Sequence, residues 1–172
     1  SLSVEHLFST PLIRARHPEL DRLVEPLKAA IYKRKQEHPG VTRSNQGGWH
    51  SDGNMRDWAG ADAEALIRVA VDAVERHLHN TNPHPNLRMG WNIEIWANVN
   101  AAGNANAAHC HPGAFASAVF YVDLGNEGKP AKDGHILLQD PRFPLAFMQQ
   151  PGILWPGPNE KPVESQFALL PS

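Results

Sequence analysis

Cysteine is almost missing from this chain: its 172 residues contain one, Cys110. A lone thiol closes no internal disulfide, so packing and hydrogen bonds must hold the fold, and such usage fits a reducing cytoplasm. An excess of charge of either sign is missing too. Sixteen Lys and Arg stand against eighteen Asp and Glu, a net charge of −2, with a pI near 6.5. Without a basic surplus there is no electrostatic footprint for nucleic acid or an anionic membrane. No run approaches the ~18 apolar residues of a membrane-spanning helix. The first residues, Ser1-Leu2-Ser3-Val4-Glu5-His6, lack the basic start and apolar centre of a secretory signal. The expectation is a cytoplasmic protein with neither nucleic acid nor membrane as partner. G-x-S-x-G, the P-loop and the dinucleotide fingerprint are all absent, and no nucleophile stands with a base beside it.

What is present is an ordinary globular composition, 41% hydrophobic and 20% charged, with two excesses: ten histidines and fifteen prolines. The length favours one domain over residues 1–172, long enough to bury a sizeable core. Val4 to Ile13 reads as one or two short edge strands broken by Pro11. Leu20, Leu23, Val24, Leu27, Ala30 and Ile31 recur at helical spacing. Pro18 suits a first turn, Pro26 should kink or restart the helix, and Gly40 after His38-Pro39 should stop it. Ser44 to Asn54 reads as a polar, glycine-rich loop, whose Gly47-Gly48 either makes a turn or lets backbone approach a ligand. Ala61 to His79 predicts a second helix with Leu66, Val69, Ala70, Ala73, Val74 and Leu78 on its buried stripe.

From Leu87 the period changes to two. Leu87, Met89, Trp91, Ile93, Ile95, Ala97 and Val99 alternate with Arg88, Gly90, Asn92, Glu94, Trp96 and Asn98, which predicts a long half-buried strand. Ala116 to Val122 reads as a buried strand, and His135 to Gln139 as another. Leu145–Met148, Gly152–Trp155 and Gln166–Leu170 are further candidates. Helices thus fall within residues 18–80 and a β core within 87–172: mainly β with N-terminal helices, an α+β chain whose strand spacing suggests a sandwich or barrel.

Between the two best strand candidates stands His109-Cys110-His111-Pro112-Gly113. In extended chain, side chains at i and i+2 share a face, with Cα atoms roughly 7 Å apart, so both imidazoles can reach one ion. Neutral imidazole suits iron, zinc, copper and nickel. The bland alternative is a polar-loop pair satisfied by hydrogen bonds. Cys110 should point the opposite way and pack as a small apolar residue. A catalytic metal needs about three protein ligands, and His135, Asp140, Glu94 and His50 are candidates for the third. Asp140-Pro141-Arg142 is either an acid and a cation at a strand end or a turn with a surface charge pair.

The combination resembles a family of 2-oxoglutarate/Fe(II)-dependent oxygenases. It consists of Asn98-x-Asn100, His109-x-His111-Pro112-Gly113, Ser117-x-Val119-x-Tyr121-Val122 and Gly134-x-Ile136-x-Leu138-x-Asp140-Pro141-Arg142, with Ser44-Asn45-x-Gly47-Gly48-Trp49-His50-Ser51 upstream. That resemblance implies a double-stranded β-helix, a jelly-roll cup flanked by helices. It also implies Fe(II) and 2-oxoglutarate as cofactors, with iron held by a His-x-Asp/Glu pair and a distal His. His109 matches the first ligand, and His111 stands where the carboxylate belongs. Asn98, Tyr121 and Arg142 are the candidates for placing the co-substrate. Phe167 to Ser172 resembles the strand before the distal His, so the expectation is that further chain carries the third ligand. Two alternatives accompany the oxygenase reading: a cupin-like metal enzyme with a histidine-only site and no 2-oxoglutarate, and a non-catalytic jelly-roll binding module with a vestigial site. An exposed sheet edge would make a homodimer plausible.

Overall fold

A computed structural model describes residues 10–81, 88–125, 134–141 and 166–169. The chain divides into two compact units, one spanning Ile13–Asp123 and the other Ser1–Leu12 with Leu124–Ser172. Helices alternate with small antiparallel sheets, an α+β arrangement. No described helix is long and apolar enough to cross a membrane.

In the first unit, α1 runs over Pro18–Glu37. The His17 ring caps it, with Nδ1 accepting from Glu19 N at 3.2 Å, and Glu19 and Asp21 complement the dipole of the first turn. The helix continues through Pro26 without the restart expected as one outcome there. Pro26 and Arg22 lie on the exposed face, where water can take the carbonyl that proline leaves without a donor. The helix stops at His38, whose backbone turns extended before Pro39, as the residue preceding a proline prefers. Gly40 follows at φ +78, with no room for a Cβ beside the Trp49 ring and the His50 carbonyl. Val41 N donates to that carbonyl at 2.8 Å.

The second helix, α2, covers Met55–Thr81 but breaks at Gly60, whose φ of 52 and ψ of −127 are not helical. The helical pattern from Ala61 thus marks the part after the break. Met55–Ala59 was hidden behind Asp52-Gly53-Asn54, whose turn chemistry reads as loop. Leu23, Leu27 and Ile31 of α1, one side chain per turn, pack with Met55, Ala59 and Ala63 of α2, and with Trp49 and Ala97. The expected α2 stripe from Leu66 to Leu78 is only half-buried. Small alanines let the helices approach closely near the break, and the core lies there.

The strands are shorter than their apolar pattern suggests. β1 (Asn45–Gln46) pairs antiparallel with β4 (Ala105–Asn106), and β2 (Trp49–His50) with β3 (Asn98–Val99). The loop expected at Ser44–Asn54 therefore contains two strand fragments, with Gly47 turning between them at φ +79. The long strand expected from Leu87 to Val99 is not formed. Over 88–99, regular pairing is confined to β3 and an isolated parallel bridge between Asn54 and Ile95. The alternation itself persists as burial: residues 89, 91, 93, 95, 97 and 99 are covered, whereas 88, 90, 92, 94 and 98 are exposed. One face packs on the helices, and among the described residues a strand, β2, lies alongside only at β3.

Ala116–Val122 forms no strand either. Phe120 and Val122 pack on the core, whereas Val119 is 64% exposed. A strand buried on both faces needs a cover on each side, and among the described residues the helical core covers one. In the other unit, β5 (Ile136–Gln139) pairs antiparallel with β6 (Gln166–Leu169), Ile136 opposite Leu169 and Gln139 opposite Gln166. Both elements agree with the sequence reading. Of the edge strands expected over Val4–Ile13, residues 10–13 form none and the rest lie outside the described residues, as do Leu145–Met148 and Gly152–Trp155.

Candidate metal centre

The site is built where residues 49–51 run beside 97–99. Ser51 N donates to the Ala97 carbonyl at 2.9 Å, and Ala97 N donates back to Ser51 Oγ at 3.0 Å. Ser51 is fully buried and sends its own hydroxyl proton to the Asp52 carbonyl. Both residues of β2 are buried, Trp49 in the core beside the helices and His50 against the ring of Trp96. The His50 and Trp96 rings are nearly parallel, 11° apart in plane with centroids at 5.8 Å. His50 Nδ1 donates to the Ser51 carbonyl.

The chain then turns back through Gly103, and β4 meets β1. Ala107 N donates to the Ser44 carbonyl at 2.7 Å. This anchors the backbone just before the histidines. His109 Nδ1 lies 2.7 Å from the Ala107 carbonyl, which can only accept, so Nδ1 carries the proton and the Nε2 lone pair is free. A turn at 111–114, closed by Ala114 N donating to the His111 carbonyl, follows. The His111 ring stacks on Trp96 with centroids 5.7 Å apart, and the His109 ring stands edge-on to it at 4.9 Å.

That spacing fits two ligands on one ion. Imidazoles bonded to a single metal at about 2.0–2.1 Å hold their centroids roughly 4.5–5.3 Å apart for angles from square to tetrahedral. Both rings are exposed and open to a ligand. No third His, Cys, Asp or Glu joins them to make a group of three among the described residues. Of the four candidates for a third ligand, His50 is spent on the other contact of Trp96, and Glu94 is exposed at the start of the buried segment. His135 and Asp140 belong to the other unit.

Asn98 sits in β3 opposite His50, and its Oδ1 accepts from Asn106 Nδ2 at 3.5 Å. Tyr121 is half-buried between Phe120 and Val122, and burial raises its hydroxyl above the usual tyrosine pKa. It therefore remains a donor through neutral pH. Arg142 lies outside the described residues. Cys110 is exposed, not packed as expected, because the turn after His111 leaves residues 108–119 uncovered. The role of Trp96 was not read from the sequence, although it stands two residues before Asn98 on the polar face of the alternating segment.

A cleft of about 210 Å³ opens elsewhere, beside the end of α1, residues 39–41, Trp49, Ser51 and Asp52. Its polar groups are turned on one another: Arg34 Nη1 donates to His38 Nε2 at 2.6 Å, and Arg34 Nη2 to Asp52 Oδ2 at 2.8 Å. Neither metal-candidate histidine lines it. The cleft marks a structural junction.

Residues 94–165 match the model of a family described as "Putative 2OG-Fe(II) oxygenase", a segment of less than half the chain. It contains Asn98, His109, His111, Tyr121 and Arg142 and leaves out the upstream Ser44–Ser51 stretch. No curated protein and no solved structure matches the chain.

Proposed function

We propose that the chain is an Fe(II)/2-oxoglutarate-dependent oxygenase of hydroxylase type, with His109 and His111 as iron ligands. The observation that carries this reading is the histidine pair itself, at a two-ligand spacing with His109 Nε2 freed by the Ala107 carbonyl. The family match over the same residues supports it. The reading includes the jelly-roll cup of that family, with strands beyond the short pairs described here. Iron and 2-oxoglutarate, when bound, would supply the oxidising chemistry: one atom of dioxygen would enter succinate as the oxo acid loses CO2, and the other would enter the hydroxylated substrate.

The chain's own residues bind and orient. His109 holds its tautomer through Ala107, and His111 is held against Trp96. Tyr121 stays protonated and offers a donor, Asn98 offers an amide, and Arg142 offers a cation for a carboxylate of the co-substrate. Succinate release from 2-oxoglutarate by the protein with Fe(II) and ascorbate tests the proposal. Turnover that disappears in His109→Ala supports it. No turnover, with no 2-oxoglutarate binding by calorimetry, sinks it. The neutral His111 in the carboxylate position favours a second reading, a histidine-only metal enzyme. Metal-dependent oxygen uptake that ignores added 2-oxoglutarate would favour that reading instead.

A further inference from the structure

His111 lies in a stretch, residues 108–119, where every residue is exposed and no strand forms. A side chain in such a segment samples several rotamers, and a ligand that must first be ordered binds its ion more weakly. Two ring contacts hold this imidazole, one to His109 and one to Trp96. His109 is itself exposed and is held at one ring atom, by the Nδ1 bond to the Ala107 carbonyl.

Trp96 can serve as a fixed support. Its neighbours are pinned, Ile95 by the bridge to Asn54 and Ala97 by the two bonds to Ser51. On its other contact lies the buried His50 ring, held by the Ser51 carbonyl. A continuous series of contacts runs from the buried backbone at Ser51 through His50 and Trp96 to His111 and His109. Only the last two rings are exposed.

We propose that Trp96, backed by His50, is the positioning residue of the metal centre: its indole holds the His111 imidazole in the orientation that lets His111 and His109 meet one ion. The proposal rests on the iron-site reading above and adds the residues that preorganise it. Groups that fix a ligand's orientation from behind commonly change metal affinity about 10–100-fold when removed. The stack uses ring area, so a benzene ring replaces much of the indole, whereas a methyl group replaces none of it.

The test uses the whole chain, Co(II) alone as probe, calorimetry for affinity and the Co(II) absorption spectrum for ligand geometry. Wild type is expected to bind one Co(II), and His111→Ala to lose it. Trp96→Ala should weaken binding about tenfold or more and alter the spectrum, whereas Trp96→Phe should stay within about threefold with the wild-type spectrum. Wild-type affinity in Trp96→Ala, or Trp96→Phe as weak as Trp96→Ala, overturns the platform role and leaves the iron site standing. No Co(II) binding by wild type, or binding that survives His111→Ala, removes the iron site and this inference with it. Should Trp96→Ala fail to fold, the His111 ring protons of the wild-type apoprotein decide. Upfield displacement by the indole ring current supports the stack, and undisplaced positions overturn it.

Discussion

At the scale of single residues, His111 carries the most consequence. On the proposed reading it supplies a nitrogen ligand where the resembled family uses a carboxylate, so a dication bound there would lack one compensating negative charge. His111→Asp restores that charge and is expected to bind Fe(II) more tightly than wild type, while His111→Ala falls to background. Anaerobic calorimetry of the three proteins checks this. If Asp binds no better than Ala, residue 111 does not face the metal. Gly40 carries a different kind of consequence. Its φ of +78 and the absence of space beside Trp49 and the His50 carbonyl penalise any side chain. Gly40→Ala should cost about 1–2 kcal/mol or more from the left-handed backbone alone. Gly53→Ala, whose added Cβ would meet nothing within 4 Å, serves as the control in urea unfolding.

At the scale of elements, one junction ties α1, the loop after β2 and α2 together. Arg34 near the end of α1 bonds Asp52, and its guanidinium lies 5.8 Å over the Trp58 ring of α2. Trp58 Nε1 and Asn54 N also donate to the Asp52 carboxylate. The hydrogen bond from Arg34 is the chief reason that Asp52 titrates below the ordinary carboxylate range. A folded pKa below the unfolded value, about 3.9, gives stability that is present above that pH and is lost as pH falls through the folded pKa. Asp52→Asn should therefore lower the urea midpoint at pH 7 and flatten its decline below about pH 4. An unchanged pH profile would show that the contact contributes nothing, as many partly exposed pairs do.

At the scale of the whole molecule, the family-matched segment 94–165 spans residues of both compact units. The histidine pair lies in the unit that also contains the helical core. An ion that binds only the folded pair stabilises the folded chain by mass action, about 2.7 kcal/mol at a hundredfold excess over Kd. For a chain of this size that corresponds to roughly 5–10 °C in Tm. Fe(II) or Co(II) is thus expected to raise the Tm of wild type and to leave that of His109→Ala unmoved, as calorimetric scans can show.

The sequence by itself determined the features that depend on local periodicity and local chemistry. The α1 stripe of Leu23, Leu27 and Ile31 follows from the helical repeat, and β5 and β6 from short apolar runs. The inward set from Met89 to Val99 follows from alternation. Tertiary structure alone decided what each exposed or apolar surface meets. Alternation specifies which side chains turn inward but not whether a strand lies alongside, so 88–97 kept its burial pattern and formed no continuous ladder. Ala116–Val122 was apolar enough for a buried strand, yet Phe120 and Val122 meet the core while Val119 stays exposed. Trp96 meets His111 on one contact and His50 on another because β2 brings His50 beside it, across 46 residues of sequence. A contact between residues so far apart depends on how the chain closes on itself, and no window of neighbouring residues contains that information.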